Sequence, residues 1–188
     1  MKTSNIMDFY DILLNMAIIL RDSPTALEEL SGRFDYILVD EYQDTNSVQY
    51  YIIRRLSQGH KNISVVGDDS QSIYAFRGAQ VKNIIDFRKD FPSCRVFRLE
   101  RNYRSTKTIV EAANSLIAHN SNRIPKECFS DGEEGEKIKL IGAYSEDDEA
   151  FQIVSDIVTK ISERSYHDSD FASLYRTNAQ SRALEQAR

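Results

Sequence analysis

Two adjacent carboxylates follow an apolar run in FDYILVDEYQDTN, residues 34–46: Tyr36 to Val39 leads straight into Asp40 and Glu41. A packed strand has no use for such a pair. In an open α/β sheet, ligands bind beyond the carboxyl ends of the strands. A carboxylate there can help hold a magnesium ion that bridges nucleotide phosphates. A neighbouring Glu can orient or deprotonate an attacking water. The plain alternative is a solvated strand end, and the pair alone does not decide between them. A second stretch, VVGDDSQSIYAFRGA at residues 65–79, offers the amide of Gln71 to a terminal phosphate or its attacking water. Tyr74, Phe76 and Arg77 follow within it as ring, ring and guanidinium. Rings on a loop can stack nucleobases at ~1–3 kcal/mol each, although either ring taken singly also fits a core position. A third stretch, RLERNYRS at residues 98–105, ends on Tyr103, which could stack a base, and Arg104, which could reach a γ-phosphate.

The elements around these residues are those of an α/β protein. YILV (36–39) and ISVV (63–66) are short, β-branched runs suited to buried parallel strands. Between them NSVQYYIIRRLSQG reads as a helix, with Asn46 or Ser47 as N-cap and Gly59 just past its end. Strand, helix and strand make a βαβ unit. Upstream, MDFYDILLNMAIIL is an amphipathic helix ended by Asp22-Ser23-Pro24. Downstream, the pattern predicts a helix over 81–89, a strand over 95–99 and a helix capped by Ser105 that runs to about His119. A polar, glycine-bearing loop near 120–136 follows. Then come a strand in KIKLIGA (137–143), a helix capped by Ser145, a strand in FASLYR (171–176) and a final helix running to Arg188. Carboxylates crowd the first turn of the Ser145 helix, where the dipole favours them.

Composition sets bounds on function. With 188 residues, 41% hydrophobic and 28% charged, the chain fits an ordinary soluble domain or two small ones. No apolar run approaches the ~20 residues of a membrane span, and no signal peptide opens it. Cys94 and Cys128 lack CxxC spacing and are read as reduced thiols of a cytoplasmic protein, with no zinc site. The net charge of -5 argues against a general nucleic-acid binder. That average hides an asymmetry: residues 82–107 hold eight basic and three acidic side chains, and 127–149 hold nine acidic and two basic. Both stretches are read mainly as solvated surface.

Taken in order, VDEYQDTN, VVGDDSQSIYAFRGA, LERNYRS and LYRTNAQSRALE resemble motifs II, III, IV and IVa of the superfamily 1A helicases, the UvrD/Rep/PcrA group. MDFYDILL is similar to a segment upstream of motif II in that family. The resemblance covers nearly the whole chain. It implies a partial RecA-like parallel sheet, with residues 1–104 as the back half of the first motor domain and 105–188 as the front part of the second. It implies an ATP-dependent 3′→5′ DNA helicase, a single-stranded DNA translocase of repair or replication, that uses ATP and Mg2+. Carried over by position, Asp40 would help hold magnesium and Glu41 would be the catalytic base. Gln71 would sense the γ-phosphate, Tyr103 would stack on adenine and Arg104 would be the arginine finger. Tyr74 and Phe76 would contact DNA bases, and Arg77 would couple that loop to the ATP site. Arg176 and Asn178 would lie at the inter-motor or DNA surface, with plain structural support as the alternative. Phe76 stands where the family often has Trp, which reduces stacking area.

One part of the machinery is missing from this sequence. None of its seven glycines sits in GxxxxGK[ST], the loop whose amides and lysine cradle phosphates. Motifs V and VI are missing as well. The resemblance therefore implies an internal piece of a helicase that is inactive alone. The competing expectation is a stand-alone module that binds DNA or a partner helicase without hydrolysis. A sheet lacking its neighbours has an open edge, so self-association through that edge is expected. A sedimentation profile that stays monomeric at high concentration argues against it.

Overall fold

A computed structural model of the chain describes residues 6–121, 123–163 and 166–187. They fall into two compact units, Met1–Gly135 and Glu136–Arg188.

In the first unit, α1 (Phe9–Asp22) starts at a capping box. Asp8 Oδ1 accepts the Asp11 N–H at 2.8 Å, and Asp11 Oδ2 accepts the Asp8 N–H at 3.2 Å. Ser23 then does two jobs. Its N–H donates to Ile19 O, closing α1, and its Oγ accepts the Ala26 N–H, opening α2 (Pro24–Ser31) with Pro24 in the first turn. The sequence reading saw only the end of the first helix.

The expected βαβ unit is present. Strands β1 (Ile37–Val39) and β2 (Ile63–Val65) pair in parallel, Ile37 opposite Ile63 and Val39 opposite Val65. Between them runs α3 (Ser47–Ser57). Asn46 caps it, its Oδ1 accepting the Val48 and Gln49 N–H groups, and Gln49 Oε1 accepts the Asn46 N–H in return. Arg55 of α3 fastens the end of α1 by donating twice to Leu20 O, from Nε at 3.3 Å and Nη2 at 3.0 Å. Leu20 beneath it is fully buried.

The single helix expected over 81–89 is two short ones, α4 (Lys82–Ile85) and α5 (Phe87–Asp90). Asp86 breaks it, with φ -91° and ψ 1°. The break turns Phe87 inward, edge-on to Tyr42 at 5.6 Å and stacked on Phe91 at 4.7 Å between centroids. Burial, with lesser contributions from Tyr50 and Asp90, pushes the Tyr42 hydroxyl up to about 12, so it stays neutral in this core.

The strand expected over 95–99 does not form; Leu99 is 85% exposed. Its apolar residues meet no neighbouring strand among the described residues. Pairing starts only further on, where Phe129 N–H donates to Glu100 O at 2.9 Å and Asn102 N–H donates to Phe129 O at 2.7 Å. Helix α6 (Lys107–Ile117) is flanked by Thr106, not by the expected Ser105. Its first amides are satisfied from afar: Lys107 and Thr108 N–H donate to Glu133 O and Glu134 O, each at 3.1 Å. Ser105 is otherwise engaged, its carbonyl accepting from Ser130 Oγ at 2.8 Å.

In the second unit, Ser145 caps α7 (Glu146–Ser162) as expected, and four acidic residues fill its first turn. Helix α8 (Ser181–Ala187) follows a 3-10 turn at Asn178–Gln180 and packs on α7. Ion pairs Lys139–Asp156 (2.9 Å) and Lys160–Glu136 (3.5 Å) hold the chain before α7 against it. The strands expected at 137–143 and 171–176 do not form, and Leu140 and Leu174 are almost wholly exposed. The architecture is α/β, helix-rich around a small parallel sheet. No helix of the described residues is long and apolar enough to cross a membrane.

Candidate functional site

The chain leaves β1 at Val39 and turns sharply. Asp40 Oδ1 accepts the Glu41 N–H at 2.9 Å, and Glu41 adopts a left-handed conformation with φ 49°. A non-glycine residue there stores backbone strain, which collects at functional positions. The turn has two consequences. Tyr42 N–H reaches Val66 O at 3.0 Å and the Tyr42 ring enters the core, while the Asp40 and Glu41 side chains stay exposed beyond the strand end.

Gln43 then joins this turn to the loop after β2. It is 1% exposed. Its Nε2 donates to Glu41 Oε2 at 2.6 Å, and its Oε1 accepts the Asp68 N–H at 3.0 Å. A buried amide satisfied on both sides is rigid, because releasing either partner leaves a polar group without compensation. Thr45 adds a second tie: Thr45 O accepts from Gln80 N–H and from Asn83 Nδ2, both at 3.0 Å. Residues 40–46 and 67–83 thus form one body. An open pocket of about 350 Å3 lies over the carboxylates, lined by Leu13, Asp40, Glu41, Asp44, Thr45 and Gln49 among others. Asp44 Oδ1 is shielded there with no hydrogen-bond partner among the described residues.

Gln71 sits in the 3-10 turn Asp69–Gln71, and its Nε2 donates to Asp68 Oδ2 at 2.9 Å. Asp68 Oδ1 accepts the Ser70 N–H at 2.9 Å and pairs with Lys126 Nζ. Burial works to raise the Asp68 carboxyl, but the bonds from Lys126, Gln71 and Ser70 outweigh it and hold it below the usual carboxylate range. Further along, Tyr74, Phe76 and Arg77 form one exposed cluster. The rings lie 6.0 Å apart, and the Arg77 guanidinium carbon is 5.3 Å and 5.4 Å from their centroids. Such contacts hold a cation beside stacking faces.

Tyr103 and Arg104 line a separate open pocket of about 400 Å3, with Arg101, Thr106, Ser130 and Glu133. Asn102 Oδ1 shapes the turn by accepting the Arg104 and Ser105 N–H groups at 2.9 Å and 2.8 Å. Arg101 pairs with Asp131 at 2.9 Å and lies 4.8 Å from the Tyr103 ring centre, leaving most of that ring exposed. Asn178 belongs to the second unit and is exposed in its 3-10 turn, where its carbonyl accepts from Ser181 Oγ at 2.9 Å. Nearby, Arg176 N–H donates to Gln180 Oε1 at 2.9 Å.

The structure therefore links Glu41 and Gln71 through Gln43 and Asp68, with Asp40 next to Glu41 in the same turn. It groups Tyr74, Phe76 and Arg77, and gives Tyr103 and Arg104 a pocket of their own. Sequence reasoning passed over Gln43, Asp68 and Lys126. For Gln43 the signal was a polar residue flanked by carboxylates in a turn that enters the core. The donor set suits magnesium. Among the described residues no three His, Cys, Asp or Glu converge on one point, but magnesium is usually held by one or two carboxylates plus waters and phosphates. Exposed Asp40 supplies that kind of ligand.

Residues 1–92 match the UvrD/REP helicase N-terminal domain, and residues 97–187 match the UvrD-like helicase C-terminal domain. The ATP-dependent DNA helicase PcrA of Leuconostoc citreum is 44% identical over 187 residues, which is 100% of this chain and 25% of the relative. The protein of the same name from Staphylococcus aureus (strain COL) is 46% identical over 180 residues, 96% of this chain and 24% of the relative. This chain spans about a quarter of the length of these curated relatives.

Proposed function

Since the chain belongs to the UvrD/Rep/PcrA family of superfamily 1A helicases, we propose that it forms part of an ATP-driven, 3′→5′ single-stranded DNA translocase. In this reading residues 1–104 are the back half of a first RecA-like motor domain and 105–188 the front part of a second. The protein works in the cytoplasm, in DNA repair or replication. The observation that carries the reading is the buried amide of Gln43, bonded to Glu41 on one side and to the Asp68 N–H on the other. It makes the carboxylate pair and the Gln71 loop a single preorganised surface.

Each residue then has a task. Asp40 would hold magnesium, which when bound would supply positive charge against the nucleotide phosphates. Glu41 Oε2 is fixed by Gln43, which aims the carboxylate as the base for an attacking water. Gln71 contacts the γ-phosphate, Tyr103 stacks on adenine and Arg104 reaches the γ-phosphate. Tyr74 and Phe76 stack DNA bases, Arg77 steadies both rings, and Asn178 meets DNA from the second unit. Without GxxxxGK[ST] in its sequence, this chain by itself does not turn over ATP.

Tyr74→Ala tests the DNA face. A lost stack costs ~1–3 kcal/mol, so affinity for a single-stranded oligonucleotide falls roughly 5- to 150-fold. Binding of the unaltered protein weakens as salt rises. Fluorescence anisotropy across a salt series reads both effects. Unchanged affinity in Tyr74→Ala and in Phe76→Ala overturns the assignment.

A further inference from the structure

Lys126 is used by none of the roles above, yet it sits at the head of the network that reaches both Glu41 and Gln71. It lies in the polar stretch after α6, within the segment matched by the C-terminal domain family. Its ammonium pairs with Asp68 Oδ1 and approaches Asp69 Oδ1 at 3.8 Å; both aspartates lie in the segment matched by the N-terminal domain family. The same stretch is fastened a second time, by Ile124 N–H donating to Asp69 Oδ2 at 2.8 Å. Arg123 Nη1 donates to Lys126 O at 3.3 Å and steadies the turn.

The clasp is well shielded. The Lys126 side chain is 20% exposed, Asp68 30% and Asp69 4%. Lys126 is the sole cation paired with these two carboxylates among the described residues. From Asp68 the network divides. One arm is Asp68 Oδ2 to the Gln71 side-chain amide, and the other is Asp68 N–H to Gln43 and on to Glu41. With its NH2 group anchored on Asp68, the Gln71 amide is held in one orientation. Removing the ammonium leaves two adjacent carboxylates facing each other without a counter-charge. Asp68 then turns toward solvent and releases Gln71.

We propose that Lys126 is a positioning residue: by holding Asp68 it orients the Gln71 amide and, through Gln43, the Glu41 carboxylate. The contact of residues 123–126 with residues 68–71 thereby sets the catalytic geometry. The amide arm stands on the structure alone; the catalytic consequence rests on the helicase reading above.

Two measurements separate these parts. The first is the Gln71 side-chain NH2 signal in the 15N-glutamine-labelled 188-residue chain. It shifts in Lys126→Met and returns toward its original position in Lys126→Arg. An unmoved signal in Lys126→Met overturns the proposal. If that variant does not fold, Lys126→Gln serves in its place, and an unmoved signal there overturns it equally. The second is steady-state kinetics in the longest natural polypeptide that contains this chain. Lys126→Met lowers kcat for ATP about tenfold, as expected for members of one network, with little change in KM. Lys126→Arg restores most of it, and once Gln71 is Ala, Lys126→Met keeps only the smaller effect carried through Gln43 to Glu41. Full turnover in Lys126→Met overturns the positioning role and leaves the helicase reading intact. An unaltered polypeptide without turnover overturns the helicase reading, while the Gln71 signal still decides the amide arm.

Discussion

Glu41→Gln lowers ATP turnover by about 10²–10⁴-fold, the usual contribution of a positioned general base. It leaves ATP affinity within a few fold. The measurement belongs in a polypeptide that joins this chain to a phosphate-binding loop. Three features make the expectation sharp. The substitution keeps the side chain's shape, so the left-handed turn at residue 41 is undisturbed. Gln43 Nε2 can donate to an amide oxygen as it does now to Glu41 Oε2 at 2.6 Å, so the buried clamp survives. The side chain is exposed, and surface changes of this kind usually stay within about 0.5 kcal/mol of neutral. Only the capacity to accept a proton is lost. Near-normal turnover with intact nucleotide binding would falsify the assignment of Glu41 as the base.

Gly67→Ala adds a destabilising methyl beside the carboxylate turn. Its Cβ would stand 2.5 Å from Gln43 Oε1, 2.9 Å from Ile84 Cδ1 and 3.2 Å from the Tyr42 amide nitrogen. Relief by moving Ile84 alone does not suffice, because the closest contact is with the clamp itself. Overpacking of this kind costs about 1–3 kcal/mol. Displacing Gln43 would strand a buried amide at a further cost of about 1–3 kcal/mol. Urea denaturation of the chain reads the sum as a lower midpoint with an unchanged slope. A loss smaller than about 0.5 kcal/mol, within the range of ordinary surface changes, contradicts the view that the two loops are locked at this point. The contact also couples stability to function: Gly67→Ala in the longer polypeptide disturbs Glu41 without touching it.

The legible parts of the fold are those set by local chemistry. Asn46 and Gln49 form the capping box that opens α3, and Ser145 accepts the Asp148 N–H at 3.1 Å to open α7. The runs 37–39 and 63–65 pair because α3 returns the chain beside its own first strand. What failed was pairing that needs a distant partner. The apolar runs at 95–99, 137–143 and 171–176 have strand composition, but a strand is made by its neighbour, and none lies beside them among the described residues. Helix 81–89 failed for a related reason: the demand of the core for Phe87 outweighed continuity at Asp86.

The site divides in the same way. Asp40, Glu41, Gln71, Tyr74, Phe76, Tyr103 and Arg104 were readable as residue types at strand ends and on loops. The residues that organise them were not, because their partners are far away in sequence. Gln43 meets Asp68 across 25 positions and Lys126 meets it across 58. No periodicity or spacing marks such a contact. Burial of the Gln43 amide and the convergence of two carboxylates on one ammonium appear only in three dimensions.

The most direct measurement is ATP hydrolysis by the longest natural polypeptide that contains this chain, with and without single-stranded DNA. The account predicts turnover that single-stranded DNA stimulates and that Glu41→Gln abolishes. A polypeptide that binds DNA but shows no hydrolysis in either condition would contradict it, and would leave Asp40 and Glu41 as a binding feature of a passive module.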